Sequence, residues 1–262
     1  RRSWGSIGML YCSLKGVAPW KSEPVGVWDL VAGFAIWIVA TTLSGALGFG
    51  GGIVGIPFLV LINPEFVPVP LLLQGVFFTS AITWRERRAI DLPALKWATI
   101  GLLPGVALGT WTLTSVSRDG LGLLTSLFLL SVISLQVTGS RVNQNQMTLS
   151  LGGAIGGFTG VTAGIPLVPL ALVMSQYQGP RFRSTLNGWG MTMAILSVIT
   201  LAFANEIDRS DLAVATVLAS AAVVGIVLSG PLRHVVDRRG VAQAVYAVGA
   251  LGAVALLVRS LT

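Results

Sequence analysis

Two glycine-proline units, one in each half of the chain, constrain its fold more than any other feature. Gly45 to Pro57 and Gly157 to Pro169 both read G-x-x-G-x-x-x-G-I-x-x-[IV]-P, and they stand 112 positions apart. A repeat at that spacing implies two related halves. Each unit interrupts a long apolar run, and interruptions at matching positions of two repeats point to the binding site of a secondary transporter.

Composition supplies the solvent. The chain is 53% hydrophobic and 10% charged, with a mean hydropathy of +0.81, whereas about a quarter of a soluble domain is charged. Lipid is therefore the expected surroundings. The net charge of +7 comes from short clusters between apolar runs, which fits loops held in the cytoplasm better than a nucleic-acid surface. A single cysteine, Cys12, excludes an intrachain disulfide and a thiolate metal cluster.

The expected fold is an all-α polytopic membrane protein with two repeated halves. Each half has about four transmembrane helices and one Gly/Pro-broken helix. Residues 1–27 form a basic segment, cytoplasmic or interfacial. The first repeat follows at 28–138, a polar linker at 139–146 and the second repeat at 147–262. Spans are predicted at Trp28–Leu47, Val67–Trp84, Leu95–Val116, Leu121–Val137, Leu186–Ala204, Leu212–Leu232 and Val241–Val258, and Leu149–Met174 holds the second break. Ile53 to Ile62 reads as a half-helix, since a full crossing takes about 20 residues. Gln176–Arg183 is expected as a polar loop.

Orientation has two solutions. The basic amino terminus and the RERR run at Arg85–Arg88 both favour the cytoplasmic side. Strict alternation of eight spans would then expose the second-half arginines outside. If Leu149–Met174 entered and left by one face, Arg181, Arg183 and the Arg233–Arg239 cluster would return to the cytoplasm, with the halves inverted.

The breaks carry the chemistry. Where a glycine cluster starts a half-helix, unpaired N–H groups and the positive end of the helix dipole make an anion site without a buried lysine. The competing reading of such glycines is close helix packing, and the ladder Gly101, Gly105, Gly109 is assigned to it. The site residues expected for an anion are Gly48, Gly50, Gly51, Gly52, Pro57, Gln74 and Ser80 in the first half. In the second they are Gly160, Thr162, Gly164, Pro169, Arg183 and Asn187. Arg183 could take an anion bidentately or act as a cytoplasmic anchor. Singly, the hydroxyls and amides also suit capping and interhelical bonding.

Other chemistries find little support. Gly50, Gly52 and Gly55 satisfy G-x-G-x-x-G, but no acidic residue follows at the distance a dinucleotide site needs. His234, the one histidine, sits among basic residues, and no catalytic set, metal set or cofactor site is expected. The ten carboxylates fall in loops or at span ends, Asp29 and Asp91 being nearest to a span. No carboxylate relay of the kind found in proton-coupled pumps is evident.

Gly48 to Leu59, GFGGGIVGIPFL, resembles the GxGGGxxxxPxL signature of the TauE/SafE membrane proteins, the sulfite exporter family. The resemblance covers roughly residues 28–260, and the second unit departs from it at Thr162 and Ala163. It implies a multi-pass carrier of the cytoplasmic (inner) membrane that exports sulfite, sulfoacetate or a related small anion. The expected partners are thus a small anion and the lipid bilayer, with no nucleic acid. An importer of such an anion, or a membrane scaffold without transport, stands as the alternative.

Overall fold

The computed structural model describes residues 25–67, 69–115, 143–163, 166–203 and 207–236. The spans expected at 121–137 and 241–258, nearly all of segment 1–27, part of the linker 139–146 and Gly164 lie outside the described residues. Among the described residues there are eight α-helices: α1 Val27–Leu47, α2 Gly51–Ile62, α3 Val69–Arg85, α4 Leu92–Ser115, α5 Gln146–Ala163, α6 Leu167–Val173, α7 Gly179–Phe203 and α8 Arg209–Val236. Two 3-10 turns, Pro64–Phe66 and Arg87–Ala89, complete the description, and no strand occurs among the described residues.

Four of the helices, α1, α4, α7 and α8, are long and apolar enough to cross a membrane. Their outer surfaces carry exposed Val39, Leu103, Leu108, Ile199 and Val227, as lipid-facing helices require. By contrast α2, with 12 residues, reaches about 18 Å, little more than half of the roughly 30 Å apolar layer. The half-helix expected here is observed, and it ends where the sequence signals an end. Asn63 closes it with a backbone bond to the Leu59 carbonyl, its side chain accepts from Glu65 N at 3.0 Å, and its amide reaches Asp29 Oδ2 at 3.2 Å.

The contacts between helices fix their directions. Gly51 packs on Ala40, Gly55 on Trp37 and Leu59 on Gly33, so α2 folds back antiparallel along α1. Gly101, Gly105 and Gly109 meet Ser150, Ala154 and Phe158, which makes α4 and α5 parallel. Thr41 lies on Gly225 and Gly45 on Ser229, so α1 and α8 are parallel too. Thr79 and Thr83 approach Gly190 and Gly188 while Glu86 bonds Arg183, so α3 and α7 are antiparallel. Accordingly α1, α3, α6 and α8 run toward the end that holds Glu86, and α2, α4, α5 and α7 run away from it.

That polarity gathers most of the described arginines at one end, with Arg209 at the other. Arg85, Arg87, Arg88, Arg181, Arg183 and Arg233 gather at the Glu86 end. Asp29, Glu65, Asp208 and Asp211 lie at the other, beside the 3-10 turn Pro64–Phe66, which packs on α8.

One expected boundary is corrected. Most of the polar stretch Gln176–Arg183 is not loop, because α7 begins at Gly179, whose φ is +57°. Pro180 then occupies the first turn, where a missing N–H costs nothing. Arg181 and Arg183 are therefore helical, and their positions on α7 are fixed.

Candidate functional site

The first break is a left-handed turn built twice over. Gly48 caps α1 at φ +94° with its N–H on the Ser44 carbonyl at 2.7 Å, and Gly50 precedes α2 at φ +97°. A side chain would strain both positions. Gly51 is required for a different reason, since a Cβ there would stand 2.6 Å from the Ala40 carbonyl oxygen. The turn lets α2 start beside Ala40 and Ser44 of α1, with its first N–H groups pointing away from its own helix. The first helical bond is Val54 N to Gly50 O at 3.1 Å, so the N–H groups of residues 51–53 have no intrahelical acceptor.

A cavity of about 110 Å³ opens at that helix start. Gly50, Gly51 and Gly52 form one wall; Trp37, Thr41 and Ser44 of α1, one face at i, i+4, i+7, form another. Gln74, Gly75, Phe78 and Thr79 enter from α3, and Gly190, Met193 and Ala194 from α7. Pro166, Leu167 and Val168, where the chain resumes after the second break, close the remaining side. Both breaks thus meet on one cavity, whose volume suits a small anion and a water or two.

Among the described residues, no charged side chain lines this space. Its polarity comes from the α2 N–H groups, from hydroxyls and from two buried groups lacking partners. Trp37 Nε1 and Gln74 Oε1 have no hydrogen bond, although the Gln74 amide nitrogen donates to Leu71 O at 3.2 Å. Thr41 and Thr79 donate to the carbonyls of Trp37 and Gly75 within their own helices, which leaves their oxygen lone pairs to accept from a water. Such an arrangement can hold an anion through dipoles while remaining neutral when empty.

Of the residues expected from sequence, Gly50, Gly51, Gly52 and Gln74 line the cavity. Gly48 sits just behind it, pressed on Arg183 and bonded through its carbonyl to Asn187 Nδ2 at 2.9 Å. Pro57 is buried inside α2 and Pro169 inside α6, each past the break rather than in it. Ser80 lies on α3 outside the lining, Gly160 packs on Pro166 and Met193, and Thr162 donates to Phe158 O at 2.9 Å within α5. Arg183 is buried with Nε 3.1 Å from both oxygens of Glu86, about 10 Å along α7 from the cavity residue Gly190.

Trp37, Gly75 and Met193 are among the lining residues not singled out from sequence, and Glu86, outside the cavity, was not singled out either. The spacing of Trp37 with Thr41 and Ser44 was an available signal. Gly75 and Met193 carried none, because their role depends on which helices the breaks bring together. Among the described residues, no group of three or more His, Cys, Asp and Glu is gathered that could hold a metal ion.

The family model described as Sulfite exporter TauE/SafE matches residues 33–256. The chain belongs to the TauE/SafE family. No curated protein and no solved structure matches it. The TauE/SafE match spans both breaks and every helix that lines the cavity except the first six residues of α1. Small-anion transport in a membrane is therefore the activity the family suggests.

Proposed function

We propose that the protein is a secondary carrier that exports sulfite or a small organosulfonate such as sulfoacetate across the cytoplasmic membrane. The observation that carries this reading is the meeting of both breaks on one cavity with no charged lining residue among those described, where the α2 N–H groups and Trp37 Nε1 are available to an oxyanion. An inside-negative potential drives an anion outward by about 2.3 kcal/mol per charge per 100 mV, so the step needs no proton site.

The helix directions support an inverted repeat. In the first half α1 and α3 run toward the Glu86 end; their counterparts α5 and α7 run away from it. The α1/α8 and α4/α5 pairs are both parallel, as a two-fold axis in the membrane plane would arrange them. Rocking of one half against the other would expose the cavity to each face in turn. Placing the arginine end in the cytoplasm follows positive-inside bias. That choice sets the start of α1 at the outer face, against the cytoplasmic placement expected for the basic segment 1–27.

Flux of labelled sulfite and sulfoacetate in liposomes, under an imposed potential and separately under a pH step, tests the proposal. Flux that follows the potential without a pH step is the expected result. No flux of either anion above empty liposomes, from folded protein, would remove the export reading and favour a scaffold.

A further inference from the structure

Glu86, just past the end of α3, has a side chain 7% exposed and serves arginines from three helices. Arg183 of α7 donates Nε to both carboxylate oxygens at 3.1 Å, and Arg233 of α8 donates Nη1 to Oε1 at 3.2 Å. Arg85 Nη2 of α3 lies 3.8 Å from Oε1 and donates to the Gly45 carbonyl at 3.0 Å, while Nη1 donates to Ser229 Oγ at 3.4 Å. Even so, Nε of Arg85 and Nε of Arg233 are buried with no acceptor. One carboxylate is divided among three guanidiniums, and two further donors are left waiting. Buried donors of this kind are costly to leave unmet.

We propose that this cluster is a second oxyanion site, in which Glu86 is a tethered stand-in for the cargo. A sulfite or sulfonate group presents oxygens as a carboxylate does, and guanidinium forks take either bidentately. An arriving anion displaces the Glu86 carboxylate and satisfies the open Nε donors, and the bonds from Glu86 to Arg183 of α7 and Arg233 of α8 are released together. The same face of α7 leads inward from Arg183 to Asn187 at i+4 and to the cavity residues Gly190 and Ala194 at i+7 and i+11. The site thus acts as the exchange point at the arginine end, and its latch opens when cargo is present. This inference rests on the export reading for the identity of the anion.

The test is sulfite binding to the purified full chain in phosphatidylcholine nanodiscs at low salt, by titration calorimetry. Glu86→Gln is expected to bind sulfite at least tenfold tighter than the unaltered protein, because the competing charge is gone. Arg233→Gln is expected to bind at least fivefold more weakly. Both changes should persist in a Gly75→Leu background, where the cavity is filled. Unchanged or weaker binding by folded Glu86→Gln overturns the proposal. If that variant fails to fold, Glu86→Asp, one methylene too short to serve Arg183 and Arg233 together, is expected to bind severalfold tighter, and equal affinity overturns the proposal. Liposome flux separates the two readings. Tighter binding without flux would leave the arginine site standing and remove export, whereas flux with unaltered binding would do the reverse.

Discussion

Asn187 Nδ2 lies 2.9 Å from the carbonyl oxygen of Gly48 and 2.9 Å from that of Arg183, so one fully buried amide ties the left-handed turn after α1 to α7. The Gly48 carbonyl belongs to a turn that cannot bond as a helix does, and α7 supplies the missing donor. Asn187→Leu is expected to strand that oxygen and cost about 1–3 kcal/mol, the usual penalty for a buried group left unpaired. Thermal unfolding in detergent would register it as a lowered midpoint, with flux reduced in parallel. A midpoint equal to that of the parent protein would mean the turn holds itself.

Filling the cavity separates transport from packing. At Gly75 a Cβ meets nothing within 4 Å although the residue lines the cavity, whereas at Gly51 it would strike the Ala40 backbone at 2.6 Å. Gly75→Leu is therefore expected to keep the fold, helped by up to about 1 kcal/mol of helix propensity, and to lower sulfite flux at least tenfold. Gly51→Leu should reduce the yield of assembled protein instead. Gly75→Leu with full flux would place the transport route elsewhere.

The half-helix was readable because glycine and proline interrupt an apolar run and Asn63–Pro64 ends it, all local signals. The polar boundary at 176–183 was misjudged because Gly179–Pro180 reads equally as a loop and as a helix start, and the choice is made by what Arg183 can reach. Glu86 looked like one more loop charge beside Arg85, Arg87 and Arg88. Its role comes from Arg183 and Arg233, 97 and 147 residues away. Periodicity along one segment does not encode such pairings. The glycine ladder of α4 was readable as a packing face, but its partner was not, since nothing local to residues 101–109 names α5.

That ladder gives a third expectation. A Cβ at Gly105 would run into the Ala154 carbonyl, so Gly105→Leu prevents α4 and α5 from closing. Overpacking of this kind costs about 1–3 kcal/mol and more where backbone must move. Size-exclusion profiles and unfolding in detergent should show aggregated or destabilised protein. Leu103→Ala, two residues away on an exposed position, should leave both measurements unchanged, and matched effects of the two would contradict the seam.

Asp91 decides whether a proton site was overlooked. It lies just before α4 and receives the Tyr177 hydroxyl, Ala94 N at 3.1 Å and Arg181 Nη2 at 2.6 Å, while Tyr177 in turn accepts from Gln144 Nε2 at 2.6 Å. Burial pushes the Asp91 carboxyl upward, but these donors outweigh it and hold the group below the usual carboxylate range. For Tyr177, burial and the bond to Asp91 raise the hydroxyl, which stays protonated. A depressed folded-state value means that the stabilisation is complete above the unfolded value of about 3.9 and is lost as pH falls through the folded one. Acidification from about pH 5 to 3 should therefore lower the unfolding midpoint more in the parent protein than in Tyr177→Phe, where one of these donors is gone. A carboxyl held below its usual range stays ionised throughout neutral pH and takes up no proton there, so Asp91→Asn should retain potential-driven sulfite flux with no new dependence on a pH step. Flux that requires the pH step and disappears in Asp91→Asn would make this carboxylate a coupling site and the carrier proton-linked.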